Sequence, residues 1–130
     1  MNTSPHQVFD RQAVRRHKHR AAAELPSFDF LLREAAERLV DRLLDIRRSF
    51  PVALELTTHG SVLRDAIGVD RSPRLVETSA LIDVLLHAQI APAMLQGAGP
   101  LRFVADEEFL PVGNKCLDLI VSSCGLHWAN

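Results

Sequence analysis

The sequence predicts an α/β fold built on a largely parallel sheet, and three observations carry that reading. Four apolar runs of strand length, at 52–56, 81–88, 101–105 and 117–122, alternate with helical patterns and breaker clusters. A strongly amphipathic stretch precedes the first run. The length of 130 residues, 47% hydrophobic and 24% charged, suits one globular domain with a modest core.

Each element has its own signal. From Phe28 to Ile46, Phe28, Leu31, Leu32, Ala35, Ala36, Leu39, Val40, Leu43 and Leu44 recur at three- and four-residue steps, which predicts an amphipathic helix. Pro26 and Ser27 mark its start, Pro51 its end, and Glu34 with Arg38 forms an i,i+4 pair on the polar face. Val52-Ala53-Leu54-Glu55-Leu56 predicts a strand that breaks into the turn Thr57-Thr58-His59-Gly60. Ser61 is placed to cap a short helix through Val62, Leu63, Ala66 and Ile67, with Gly68 closing it and residues 69–80 forming a loop. The second half of Leu81–Ala88 fits a strand buried on both faces. Pro92 starts a helix carrying Met94 and Leu95, which stops at Gly97-Ala98-Gly99-Pro100. Strands over 101–105 and 117–122 complete the pattern.

Charge and cysteine usage narrow the function classes. The net charge of -1 hides a basic N-terminal segment: residues 1–20 carry +4, leaving -5 on residues 21–130, so nucleic-acid binding by the body is not expected. Arg15-Arg16-His17-Lys18-His19-Arg20 reads as a solvated helical face or frayed terminus. No run is apolar enough to span a bilayer and no secretory leader is evident, so a cytoplasmic location is expected. Cys116 and Cys124 read as buried thiols, without a disulfide. Cys124 and His127 share a Cys-x-x-His spacing, but no second paired motif accompanies it and no metal is expected.

In open α/β sheets ligands sit beyond the carboxyl ends of the strands. Those ends carry Glu55 and Leu56, Gln89, Asp106 and Glu107, and Ser122-Ser123 followed by Gly125-Leu126-His127-Trp128. Acidic and amide acceptors along one edge suit a nucleoside-like ligand, whose ribose hydroxyls and exocyclic amine are donors.

The runs Ala105-Asp106-Glu107-Glu108-Phe109-Leu110-Pro111, Leu117-Asp118-Leu119-Ile120-Val121-Ser122-Ser123 and Leu126-His127-Trp128 resemble the third- and fourth-strand region of class I S-adenosylmethionine-dependent methyltransferases. Within the type 11 branch, Phe9-Asp10-Arg11, the helix through Asp45-Ile46-Arg47 and Phe50-Pro51-Val52-Ala53-Leu54 are most similar to the group of the mitochondrial complex I assembly factor and its bacterial relatives, which includes arginine hydroxylation. The resemblance implies a Rossmann-like sheet that ends here after its fourth strand, with N-terminal helices, where complete members have seven strands. Residues 1–50 then form a basic segment and helix, and residues 51–130 the N-terminal half of the methyltransferase domain.

By the same resemblance the cofactor is S-adenosylmethionine. Glu55 matches the acid of the glycine-loop motif, Thr57 and His59 lie in the loop itself, Gln89 stands at the ribose position, and Asp106 with Glu107 matches the adenine-contacting pair. Ser122, His127 and Trp128 match the substrate side, and no catalytic residue is assigned. Besides ending after the fourth of seven strands, which marks an N-terminal fragment, a degenerate product or a module completed by another chain, the sequence departs from the family in two motifs. The motif acid-x-Gly-x-Gly-x-Gly reads Glu55-Leu56-Thr57-Thr58-His59-Gly60-Ser61, and a side chain forced into a glycine conformation costs about 1 to 2 kcal/mol. Gln89 replaces an aspartate, losing a charge-assisted hydrogen bond of roughly 1 to 2 kcal/mol. Two functions follow: a methyltransferase-like enzyme linked to complex I assembly, or a non-catalytic assembly protein that keeps the scaffold. The expected partners are a protein substrate or partner chain, with self-association possible through the free sheet edge.

Overall fold

The computed structural model of the chain describes residues 6–46, 48–56, 59–67 and 82–130. Thr57, the closing Gly68 and the loop expected over 69–80 lie outside the described residues.

Helix α1 spans Arg11–Ala21. Asp10 starts it, its side chain accepting from the N–H groups of Gln12 and Ala13, while Lys18, His19 and Arg20 sit in the last turn, where the dipole favours cations. None of its residues is fully buried. Pro26 and Ser27 form a separate 3-10 turn, Leu25–Ser27, and α2 follows over Phe30–Asp45. The helix is thus two residues shorter at its start than the apolar spacing implies. Ala36 and Val40 are its buried residues, whereas Phe28 is 69% and Leu31 67% exposed. Phe28 belongs to the turn, and only the part of the stripe facing the sheet finds a partner.

Strands β1 (Phe50–Leu56), β2 (Ile82–Gln89), β3 (Arg102–Val104) and β4 (Leu119–Ser122) form one sheet in the order β3-β2-β1-β4, with every pair parallel. This is the parallel α/β sheet that the alternation of elements predicts, in the Rossmann-like form that the resemblance implies. Helix α3 (Val62–Ile67) follows β1. Ser61 does not cap it with its side chain; the hydroxyl donates instead to the Asp65 carboxylate at 2.8 Å. Pro92–Leu95 is a single 3-10 turn and not an α-helix, because only four residues separate Pro92 from the left-handed Gly97.

Two faces of the sheet are covered differently. Ala36 and Val40 of α2, Val62, Leu63 and Ile67 of α3, and Val121 of β4 make one buried cluster. On the other side Leu54, Leu56 and Ala88 are covered by Phe103, Ala105, Leu110 and Leu117. Asp118 fixes the entry of β4: the Val52 N–H donates to its carboxylate and its own N–H donates to the Val52 carbonyl, both at 2.8 Å. A third cluster, Ile90, Ala91 and Met94, receives Ala22 and Leu25 from beyond α1.

The cysteines overturn the core expectation, since Cys116 and Cys124 are both exposed. Cys124 ends the β4 segment in a left-handed conformation with φ 56°, so the chain turns there and the thiol leaves the sheet.

Candidate functional site

Because all four strands run the same way, their carboxyl ends share one edge, and α1 lies across it. The register aligns Glu55 of β1 with His87 of β2 and with Val121 of β4. Glu55 and His87 are each 1% exposed, and a Glu55 carboxylate oxygen lies 3.4 Å from His87 Nδ1. The acid that the sequence assigns to the cofactor loop is therefore placed inside the sheet, paired across two strands. Gln89, at the end of β2, is equally buried.

His59 follows β1 and is buried against the start of α2, with Nε2 3.7 Å from an Asp29 oxygen. Burial lowers its pKa from 6.5; Asp29 opposes that shift and Arg33 adds to it. Arg33 bridges two carboxylates, donating to Asp29 at 3.0 Å and to Asp65 at 3.1 Å. A network of alternating charge thus fastens α2, α3 and the loop after β1 to one another. Gly60 in that loop has φ +53°, donates to the Met94 carbonyl at 2.7 Å, and sits where a Cβ would come within 3.0 Å of the Gln96 carbonyl oxygen. Glycine is needed there, because a side chain meets both an unfavourable conformation and backbone.

The densest charge lies beyond β3. Arg11 Nε and Nη2 donate to the two oxygens of Asp106 at 3.1 and 2.7 Å. Nη2 is also 2.7 Å from Glu107, Nε 3.4 Å from Glu108, and Nη1 donates to the Trp128 carbonyl at 2.8 Å. Burial alone would push the Asp106 carboxyl up, but the Arg11 bonds and charge, with the Glu108 N–H, bring it below the usual carboxylate range. Arg11 is shifted upward by the same contacts against its own burial. Lys18, two turns further on the same helix face, has its ammonium buried, with no hydrogen-bond partner among the described residues. Burial lowers its pKa, while Glu107 and Asp106 partly offset the effect and Arg11 adds to it.

The chain's two ends close over this cluster. Asn130 accepts from the Val8 and Phe9 N–H groups at 2.6 and 2.7 Å, and its amide donates to Glu108 at 2.9 Å. Phe9 meets Trp128 edge to face at 5.6 Å, and His127 packs on the same indole at 4.9 Å. Asp106, Glu107 and Trp128 are thereby brought together, while Glu55 and His59 belong to separate buried networks. Ser122 pairs in register with Leu56, beside the loop after β1. A cavity of about 420 Å³ lies elsewhere, lined by Arg64, Ile67, Ile82 and Leu101 among others, and none of the sequence-assigned site residues lines it.

Arg11 and Lys18 are the residues that sequence reasoning missed as site groups. A signal existed: a cation in the first turn of a helix opposes the dipole, so Arg11 needs a tertiary acid, and the seven-residue spacing puts Lys18 on its face.

Comparison with known proteins gives relatives over nearly the whole chain. The arginine-hydroxylase NDUFAF5, mitochondrial, of Rattus norvegicus is 34% identical over 133 residues, covering 99% of this chain and 37% of that protein. The Homo sapiens protein of the same name is 34% identical over 138 residues with the same coverage, and that of Danio rerio is 34% identical over 125 residues, covering 95% of this chain. Over nearly its whole length the chain is similar to these NDUFAF5 proteins. It spans about 37% of the length of the relatives it matches. No family model matches the chain, and no solved structure does. The NDUFAF5 relatives correct the cytoplasmic expectation, because they are mitochondrial proteins.

Proposed function

We propose that this chain supplies the cofactor-binding part of a methyltransferase-like protein that takes S-adenosylmethionine and modifies a protein arginine in the assembly of respiratory complex I. The observation that supports it best is the acidic edge beyond β3. Asp106 uses both oxygens on Arg11 and accepts a third bond from the Glu108 N–H, yet its side chain remains 25% exposed, so a ligand amine can reach the oxygens that Arg11 holds. Gly60, in its left-handed conformation, leaves the loop after β1 without a side chain at its tightest point. These residues fit the adenosyl end of the cofactor. When bound, that cofactor supplies an electrophilic methyl group. The chain's own part is to accept hydrogen bonds at Asp106 and hold Glu107 beside it.

The alternative, an assembly protein that has lost the cofactor, is supported by His59 and Ser61 at glycine positions, with His59 turned into the Asp29 network. Calorimetric titration of the chain with S-adenosylmethionine and S-adenosylhomocysteine, beside Asp106→Ala, separates the two. Micromolar binding lost in the variant supports the first reading. No heat from a folded sample supports the second.

A further inference from the structure

The proposed cofactor site and the anchor of α1 share one residue. Helix α1 has no fully buried residue; it packs on the Pro92–Leu95 turn, and its hydrogen bonds and ion pairs to the body of the domain run through Arg11, which reaches Asp106, Glu107 and the Trp128 carbonyl. Elements with few buried apolar contacts open at low free-energy cost. Closure also carries an internal penalty, because the Lys18 ammonium is shielded with no hydrogen-bond partner among the described residues. Past the helix, Ala22 and Leu25 hold the chain to Ile90, Ala91 and Met94 by apolar contact that does not depend on the acids. The segment thus has a fixed hinge at one end and a charge latch at the other.

We propose that α1 is a strap over the carboxyl edge, latched by Arg11 on Asp106, and that a ligand donor reaching Asp106 competes with Arg11 and releases the strap. This inference rests on the proposed cofactor reading and adds its regulation. Two groups that use the same carboxylate must oppose one another, and the coupling is reciprocal: the latch weakens the ligand as much as the ligand weakens the latch. Trp128 is the chain's only tryptophan and touches Phe9 next to the latch, so its fluorescence reports strap position.

The test compares the full chain with Arg11→Ala and Asn130→Ala by calorimetry with S-adenosylhomocysteine and by Trp128 emission. Asn130→Ala loosens the same strap at Val8 and Phe9 without touching Asp106, and remains informative if Arg11→Ala does not fold. The expected result is affinity raised about tenfold in Arg11→Ala and less in Asn130→Ala. In the unsubstituted chain, ligand should shift the emission toward that of the ligand-free variant. Binding to the unsubstituted chain that is equal or tighter than to both variants overturns the strap and leaves the cofactor reading standing. No binding to any of the three overturns the cofactor reading and the strap with it, and differs plainly from the previous outcome.

Discussion

Arg11 and Asp106 stand 95 positions apart in the chain, yet their side chains meet at 2.7 Å, and this pair joins the N-terminal segment to the third strand of the sheet. With Arg11 only 12% exposed, its charge-assisted bonds are shielded from bulk solvent. Replacing it with alanine leaves three consecutive carboxylates facing one another. Urea denaturation of Arg11→Ala should give a loss of about 2 kcal/mol, and an unchanged midpoint would contradict the account of the clasp.

The same pair sets an acid limit. Asp106 has a folded-state pKa below its unfolded value of 3.8, so its stabilisation is complete above that value and lost as pH falls through the folded one. Arg11→Ala removes the principal cause of the depression. Acid titration followed by circular dichroism should show unfolding beginning at higher pH in the variant.

Lys18 works in the opposite sense. Its folded pKa lies below 10.5, so the charged form is disfavoured on folding, and the cost persists below the folded value and is relieved as pH rises toward 10.5. Lys18→Met should stabilise the chain by on the order of 1 kcal/mol at neutral pH. Chemical denaturation across pH would show the gain shrinking under alkaline conditions.

His59 couples stability to pH on the acid side of neutrality. Burial keeps it neutral in the fold, with a pKa below 6.5, so the unfolded chain takes up its proton first as pH falls. Stability should therefore decline from pH 6.5 downward through the folded value. A His59→Gln variant should flatten that decline, and an identical slope in both proteins would remove His59 as its cause.

Glu55 and His87 form the buried cross-strand pair of the sheet, each 1% exposed. Glu55→Ala removes a buried carboxylate from beside the His87 ring. That variant should cost about 1 to 3 kcal/mol, whereas Glu55→Gln, which keeps shape and acceptor, should cost less. Equal losses in the two variants would mean that packing, and not the polar pair, dominates at this site.

Much of the fold was legible because local pattern is a direct consequence of burial. The run Val52–Leu56 is apolar since β1 lies centrally between β2 and β4, and the alternation of elements suffices to specify parallel pairing. Element ends were less legible. Leu31 fits the helical stripe yet faces solvent, and the apolar context of Cys124 concealed a left-handed turn that carries the thiol outward. The first depends on which neighbours arrive from elsewhere in the chain, and the second on a backbone turn that the apolar pattern does not mark.

The acids of the carboxyl edge were identified by residue type and position, but their partners were not. The basic stretch at 15–20 reads as a solvated face, and Arg15, Arg16, His19 and Arg20 are indeed exposed, while Lys18 within it and Arg11 one turn before it are partly buried. Glu55 looked like a loop acid and proved to be half of a buried pair with His87, 32 residues later. The sequence by itself determined the class of fold, the parallel order of elements and the acidic character of one edge, since these follow from periodicity and composition. Only the tertiary structure decided which charges neutralise which, because pairing depends on distances of a few ångströms between residues remote in the chain, and electrostatic energy changes steeply over that range.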